Sequence, residues 1–373
     1  MIAPVRIALL ALALASASPA LAQGVTPRTV VLGQSAPLSG PLQRYGEDLR
    51  NGALAYLRAL NEAGGVHGRR IELATLDDAG DAERALANTR RFIEEFKVFA
   101  LFGYPEFAVT RELLTLAHQA RMPLIAPASG AQIARQPGRA VFTMRAGRAD
   151  EIAAVIEHYA RLGARRFALV DRDDAAGAEY RAAARVALAG LGLEPQVDAP
   201  LRGDSAQTAK AALAQGPDVV MLVLPQPPAA DVVRALRGAG GGPQILALSP
   251  ADPRALAQAL GPAGAGVALA QVVPPLDKVS LPLVSDFRAA LGGEAGNDVG
   301  SPAALESYLG ARVLAQALRR AGPALTRDAL LQALQDMQRF DAGGYLVGFS
   351  RISRQAAGRV YLMSITREGE LLH

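Results

Sequence analysis

At 373 residues, half of them hydrophobic, the chain is long enough to bury two cores of ordinary domain size. Its formal charge of +4 comes from 39 Lys and Arg against 35 Asp and Glu spread along the chain, with no basic run interleaved with aromatics, which argues against a nucleic-acid surface. The absence of cysteine excludes disulfides, thiolate zinc sites, a lipid-modified N-terminal cysteine and a cysteine nucleophile.

The first element in chain order reads as a secretory signal. Arg6 is the only charge before residue 28, residues 7–15 are apolar, and Ala20-Leu21-Ala22 places small residues where a signal peptidase reads. Cleavage after Ala22 is the expectation, since an apolar core this short falls below the ~20 residues that span a bilayer. The mature chain is expected in the periplasm.

Strand-length apolar runs then alternate with amphipathic helices, the pattern of a parallel sheet covered on both faces. Strands are expected at 30–34, 71–76, 98–102, 123–126 and 141–144, with helices at 42–61, 82–95 and 106–120 between them. Leu49, Ala53, Leu57 and Leu60 share one face of the first helix; Gly64 is its stop, and Asp81 an N-cap for the next. After Arg145-Ala146-Gly147 a second run begins, with strands at 167–171, 196–199, 219–224, 245–248 and 267–272 and helices at 150–161, 175–190, 206–215, 229–238 and from Pro253. Pro274-Pro275 marks a boundary before helices at 281–291, 302–320 and 326–338, and a last strand is expected at 360–366. The fold class is therefore α/β, with two doubly wound parallel-sheet lobes.

Particular residues refine this. The opening Val30-Val31-Leu32-Gly33-Gln34-Ser35-Ala36-Pro37-Leu38-Ser39-Gly40-Pro41 leads through a helix to Asn61-Glu62-Ala63-Gly64-Gly65-Val66-His67-Gly68-Arg69-Arg70-Ile71-Glu72-Leu73 and then Asp77-Asp78. Downstream lie Pro217-Asp218-Val219-Val220-Met221, the helix around Tyr308, and Phe340-Asp341-Ala342-Gly343-Gly344-Tyr345 followed by Val347-Gly348-Phe349-Ser350. This order resembles the extracytoplasmic solute-binding proteins of branched-chain amino acid (Leu/Ile/Val) ABC transporters, across nearly the whole mature chain. The resemblance implies the type I periplasmic binding protein fold, in which the chain crosses between lobes three times through a three-strand hinge. It divides the chain into a lobe of 24–145 with 273–350 and a second of 146–272 with 351–373, behind the signal at 1–22.

Open parallel sheets bind ligands beyond the carboxyl ends of their strands, and two facing sheets make one cleft. In the first lobe that directs attention to 39–45, 103–108 and 128–130, where helix N-termini after the last two segments would aim N–H groups at an anion. The resemblance makes Tyr45 and Phe107 aromatic walls of the ligand site, and Ala108, Ala128, Ser129 and Gly130 its first-lobe rim. It also exposes departures: Phe107-Ala108 stands where amino-acid-binding members carry a serine, and Ala128-Ser129-Gly130 where they carry Ala-x-Thr. In the second lobe Ala176-Gly177 replaces a Tyr-Gly pair, Pro225 or Gln226 an aromatic, and Ser249 an acid. Asp171 remains as the partner for a ligand ammonium, or else caps its own turn. Gln226 and Ser249 complete the second-lobe set.

With the hydroxyl clamp weakened and aromatic walls present, the expected ligand is an aromatic or aliphatic carboxylate in preference to a free amino acid. An ABC permease is the expected partner, of a monomer without cofactor or metal. Docking on a sensor kinase or chemoreceptor is the alternative. An enzyme finds little support: His67, His118, His158 and His373 lack metal-ligand spacing, Gly240-Gly241-Gly242 follows a helix, Asp77-Asp78 point apart on a strand end, and no Gly-x-Ser-x-Gly elbow exists.

Overall fold

The structure, a computed structural model, describes residues 23–136, 140–194, 197–240, 242–292, 300–350, 353–356 and 358–373. The expected signal at 1–22, residue 196 of one expected strand, and Gly241 lie outside the described residues. The alternating runs become two separate sheets. The first contains β1 Thr29–Ala36, β2 Arg70–Asp77, β3 Ala100–Phe102, β4 Leu124–Ile125 and β5 Val141–Phe142, in the order β2-β1-β3-β4-β5 with every pairing parallel. The second takes β6 Phe167–Asp171, β7 Val197–Asp198, β8 Val219–Val223, β9 Gln244–Ala247 and β10 Ala268–Gln271, all paired in parallel. All five residues of β6 and of β8 are buried, as a parallel strand with helices on both faces requires.

A small hairpin joins β11 Phe340–Asp341 to β12 Leu346–Val347, inside the segment singled out by sequence. The second sheet ends on β13 Tyr361–Ile365 and β14 Leu371–Leu372, both antiparallel. The expected last strand is present but reversed relative to its sheet, because the chain re-enters without a crossover helix and then folds back at Gly369.

Packing divides along the same lines. One apolar cluster joins Val30, Leu32 and Phe102 of the first sheet to Val273, Leu283, Phe287, Leu305 and Leu309 far downstream. Helix Pro302–Ala321 lies against helix Gln43–Glu62 so closely that a Cβ at Gly52 would stand 2.0 Å from the carbonyl oxygen of Ala304. At Gly310 a Cβ would stand 2.4 Å from that of Ala126, so the same helix also rides directly over the end of β4. Its polar residues are thereby delivered to the carboxyl edge of the first sheet. Two further clusters cover the two faces of the second sheet.

One helix departs from expectation. The segment 106–120 splits into a 3₁₀ turn, Glu106–Ala108, and a helix Arg111–Gln119 capped by Thr110, whose hydroxyl accepts from the Leu113 N–H at 3.2 Å. Val109, at φ −82° and ψ 67°, leaves helical geometry and separates the two. Beyond β4 the expected helix start is likewise only a 3₁₀ turn, Gln132–Arg135. The first expected helix N-terminus is thus displaced to Arg111, where Thr110 caps it, and the second is replaced by a 3₁₀ turn.

Candidate ligand site between the lobes

The carboxyl edges of the two sheets meet, and charged side chains fill the seam. Arg145, in the first crossover, sends Nη2 to Ser249 Oγ at 2.7 Å beyond β9, while its Nη1 stands 3.6 Å from Glu306 Oε2 on helix Pro302–Ala321. The two side chains are 12% and 5% exposed. Arg145 Nε and Glu306 Oε1 are buried without a partner, and so are Ser307 Oγ, the Tyr345 hydroxyl and both amide atoms of Gln226. Burial alone would lower the Arg145 pKa, but the Glu306 and Glu151 carboxylates hold it above its ordinary value. Burial raises the Glu306 pKa, with Arg145 and Arg135 opposing.

Behind Ser249 sits Glu151, also buried. Its Oε1 accepts the Ser249 N–H at 2.6 Å, and its Oε2 accepts Ser249 Oγ at 2.8 Å and the Tyr180 hydroxyl at 2.7 Å. Ser249 thus spends its one proton on Glu151 and one of its two lone pairs on Arg145. It acts as a relay rather than as a free hydroxyl.

Arg135 clamps the crossover from the first-lobe side. It donates to Gln355 Oε1 at 2.8 Å and, at 3.0 Å each, to the carbonyls of Ser129, Ala131 and Arg145. Burial, helped by the neighbouring Arg145 charge, lowers its pKa to about 10. A second bridge closes the rim, where Arg148 pairs with Glu106 of the first lobe and Glu179 of the second. The Arg148 N–H donates to the Gly130 carbonyl at 3.0 Å, and the Gln132 N–H to Glu179 Oε1 at 2.6 Å. The lobes are shut on each other. An open groove of about 620 Å³ beside Pro253, Pro274, Pro275, Met363 and Leu371 contains none of these seam groups.

The residues singled out from sequence fare differently. Tyr45 is half-buried at the seam, its phenol pKa raised by burial first and then by the Glu306 charge, with Arg145 opposing. Phe107 leans partly buried against a first-lobe core that contains Ala108. Ala128 is buried at the end of β4, bonded through its N–H to the Tyr104 carbonyl, and Gly130 receives Arg148 as described. Ser129 is fully buried and its hydroxyl accepts the Ala131 N–H at 3.2 Å, so it serves its own turn. Asp171 is also taken: Arg181 Nη1 reaches its two oxygens at 2.5 and 2.6 Å, and the Asp173 N–H donates at 2.7 Å. A Cβ at Gly177 would stand 2.3 Å from Asp171 Oδ1, which explains the glycine opposite. With its acceptors used in this way, Asp171 is not the free ammonium partner expected. Gln226, beyond β8, keeps both amide atoms buried without a partner among the described residues.

Sequence reasoning missed Arg145, Glu306, Glu151, Tyr180 and the Arg148 bridge. Glu306 carried a signal, being a lone acid with Leu305, Tyr308 and Leu309 around it in a helix apolar on most sides. Among the described residues no group of His, Asp and Glu could hold a metal, and no helix is long and apolar enough to cross a membrane.

Comparison with known proteins agrees with this architecture. An "Amino acid binding protein" of Pseudomonas aeruginosa is 28% identical over 216 residues, 57% of this chain and 58% of that protein, so the chain spans somewhat more than half the length of this relative. Among solved structures, a substrate-binding periplasmic protein from Ralstonia solanacearum is 30% identical with a TM-score of 0.79, over 92% of this chain and 99% of that one. An extracellular ligand-binding receptor from Verminephrobacter eiseniae is 26% identical with a TM-score of 0.84, over 92% and 100%. A fatty acid ABC transporter substrate-binding protein from Thermomonospora curvata shares the fold at 20% identity, with a TM-score of 0.80 over 94% and 92%. Residues 29–370, taking in every strand but β14, match one family, and the chain belongs to it: the periplasmic binding proteins, in their type I fold.

Proposed function

We propose that this protein is the periplasmic receptor of an ABC importer, capturing one small organic solute between its lobes and presenting the closed form to a membrane permease. The observation that carries the reading is the Arg145–Glu306 pair, buried where the two carboxyl edges meet, with Nε of one and Oε1 of the other unpartnered. Orphaned polar atoms at such depth each cost on the order of 1–3 kcal/mol, so a molecule that satisfies them stabilises the closed state over the open one. Tyr45 and Phe107 serve as the walls for its apolar body.

The fold leaves the ligand open, since proteins of this architecture carry names as different as amino acid binding and fatty acid transport. The aromatic or aliphatic carboxylate expected from sequence would meet Arg145, which Glu306 already faces, since Arg148 is held by Glu106 and Glu179 and Arg135 by three carbonyls and Gln355. Mass spectrometry of small molecules released from natively purified protein tests the proposal. A stoichiometric organic solute that rebinds the stripped protein is expected. Protein that yields none, and that no solute stabilises, refutes it.

A further inference from the structure

Open and occupied polar atoms in the seam can be told apart one by one. Ser249 and Asp171 are committed to Glu151 with Arg145 and to Arg181, while Ser129 turns a lone pair to the Ala131 N–H. Glu151 is filled by Ser249 and Tyr180. Buried without a partner at the central pair are Arg145 Nε and Glu306 Oε1, whose other atoms, Nη1 and Oε2, stand 3.6 Å apart as an ion pair; the hydroxyls of Thr143, Ser307 and Tyr345 and both atoms of the Gln226 amide are unpartnered as well. The unpartnered set therefore holds donors and acceptors together.

Charge makes the same selection. At the centre Arg145 faces Glu306, Arg135 lies on the crossover beside it, and Glu151 is buried next to Ser249, two cations with two anions, while at the rim Arg148 pairs with Glu106 and Glu179. A bare carboxylate would bond Arg145 but set a second anion against Glu306 in a dry site. An α-ammonium would add a cation beside Arg145 and Arg135, and the carboxylate with an unpartnered oxygen, Glu306, already faces Arg145. A planar amide brings no net charge, one carbonyl for Arg145 Nε and an N–H for Glu306 Oε1.

We propose that the cleft selects a neutral, carboxamide-type head group, its carbonyl on Arg145 and its N–H on Glu306, attached to an apolar body held between Tyr45 and Phe107. This rests on the solute-binding reading above and sharpens it. Glu306 is then the specificity-determining residue, because it rejects an anion and accepts a donor at the same atom.

The test uses the full mature chain, stripped of bound solute, and calorimetric titration with matched pairs: phenylacetamide against phenylacetate, and 4-methylpentanamide against 4-methylpentanoate, with phenylalanine and leucine alongside. In the unaltered protein the amide of a pair should bind at least about tenfold more tightly than its carboxylate and than the amino acid, the scale of one hydrogen bond to a charged group. Glu306→Gln, close to isosteric, should remove the anion and bring the carboxylate to within about threefold of its amide or reverse the order. Arg145→Gln should weaken both. Carboxylates or amino acids binding as well as amides, or a preference untouched in Glu306→Gln, overturns the assignment. Identification of the natively released molecule separates the two claims: a solute without an amide-type head overturns this assignment and leaves solute capture standing, whereas no released solute and no response to any probe overturns both.

Discussion

Replacing Glu106 by Gln should loosen the closed form without disturbing either lobe. Arg148 holds Glu106 across the seam and Glu179 within its own lobe, and the Glu106 side chain is 35% exposed. Removal of Glu106's charge leaves Arg148 still paired to Glu179, so no buried cation is orphaned, and solvent screens part of what is lost. About 1 kcal/mol is then the appropriate scale, the upper end for partly exposed pairs, which shifts the open-to-closed ratio roughly fivefold. The chain has no cysteine. Leu42→Cys on the first lobe and Val186→Cys on the second, at exposed positions, therefore accept a dye pair for single-molecule energy transfer. The Glu106→Gln protein should show the fivefold gain in open molecules. Salt at about 1 M should produce much of the same gain in the unaltered protein and little more in the variant. Coincident distance distributions for the two proteins at both salt concentrations would refute the assignment of Arg148 as a bridge between lobes.

Three further outcomes follow from contacts already described. Arg181→Met strands the fully buried Asp171 carboxylate and should cost about 3 kcal/mol, lowering the melting temperature by roughly 6–12 °C, while Asp171→Asn with Arg181→Met should recover much of it; equal melting of the two variants counts against the pairing. Asp218 accepts the N–H groups of Arg165 and Arg166 and the Arg166 guanidinium, which bring its pKa from 3.8 down to about 2. Its stabilisation is complete above the ordinary value and vanishes as pH falls through about 2, so the urea midpoints of the parent and Asp218→Asn should differ at pH 6 and converge between about pH 4 and 2. Gly52→Val places a side chain against the Ala304 backbone and should destabilise the first lobe by roughly 1–3 kcal/mol, read by urea denaturation; an unchanged midpoint would show that the two helices are free to part.

How much of this was legible depends on what produces each feature. Hydrophobic periodicity is local, and so β6 and helix Ala175–Gly190 have the same bounds in sequence and structure. The split at Val109 was not legible, because it turns on one backbone torsion following a Pro105 that also bridges to Ala128. The reversed β13 was invisible for a related reason, since an apolar strand reads the same in either direction.

The seam shows the limit more sharply. Tyr45 lies in the field of the central pair, and Gln226 keeps its polar atoms open, both as positions beyond strand ends should. Asp171 occupies an equivalent position, yet Arg181 and the Asp173 N–H consume its oxygens, and Ser129 turns a lone pair back to the Ala131 N–H; position names candidates, and pairing decides among them. Arg145 and Glu306 are 161 residues apart in the chain and meet only because Gly52 and Gly310 let one helix lie close over the first sheet. That conjunction is a property of packing, and sequence spacing does not encode it.

Small-angle scattering on stripped protein, with and without the molecule released from native preparations, tests the central claim most directly. A ligand held by both lobes should shift the population toward the compact form, lowering the radius of gyration with a midpoint that matches its calorimetric affinity. Saturable binding that leaves the scattering curve unchanged, from a stripped protein shown by the dye pair to be open, would contradict capture between the lobes.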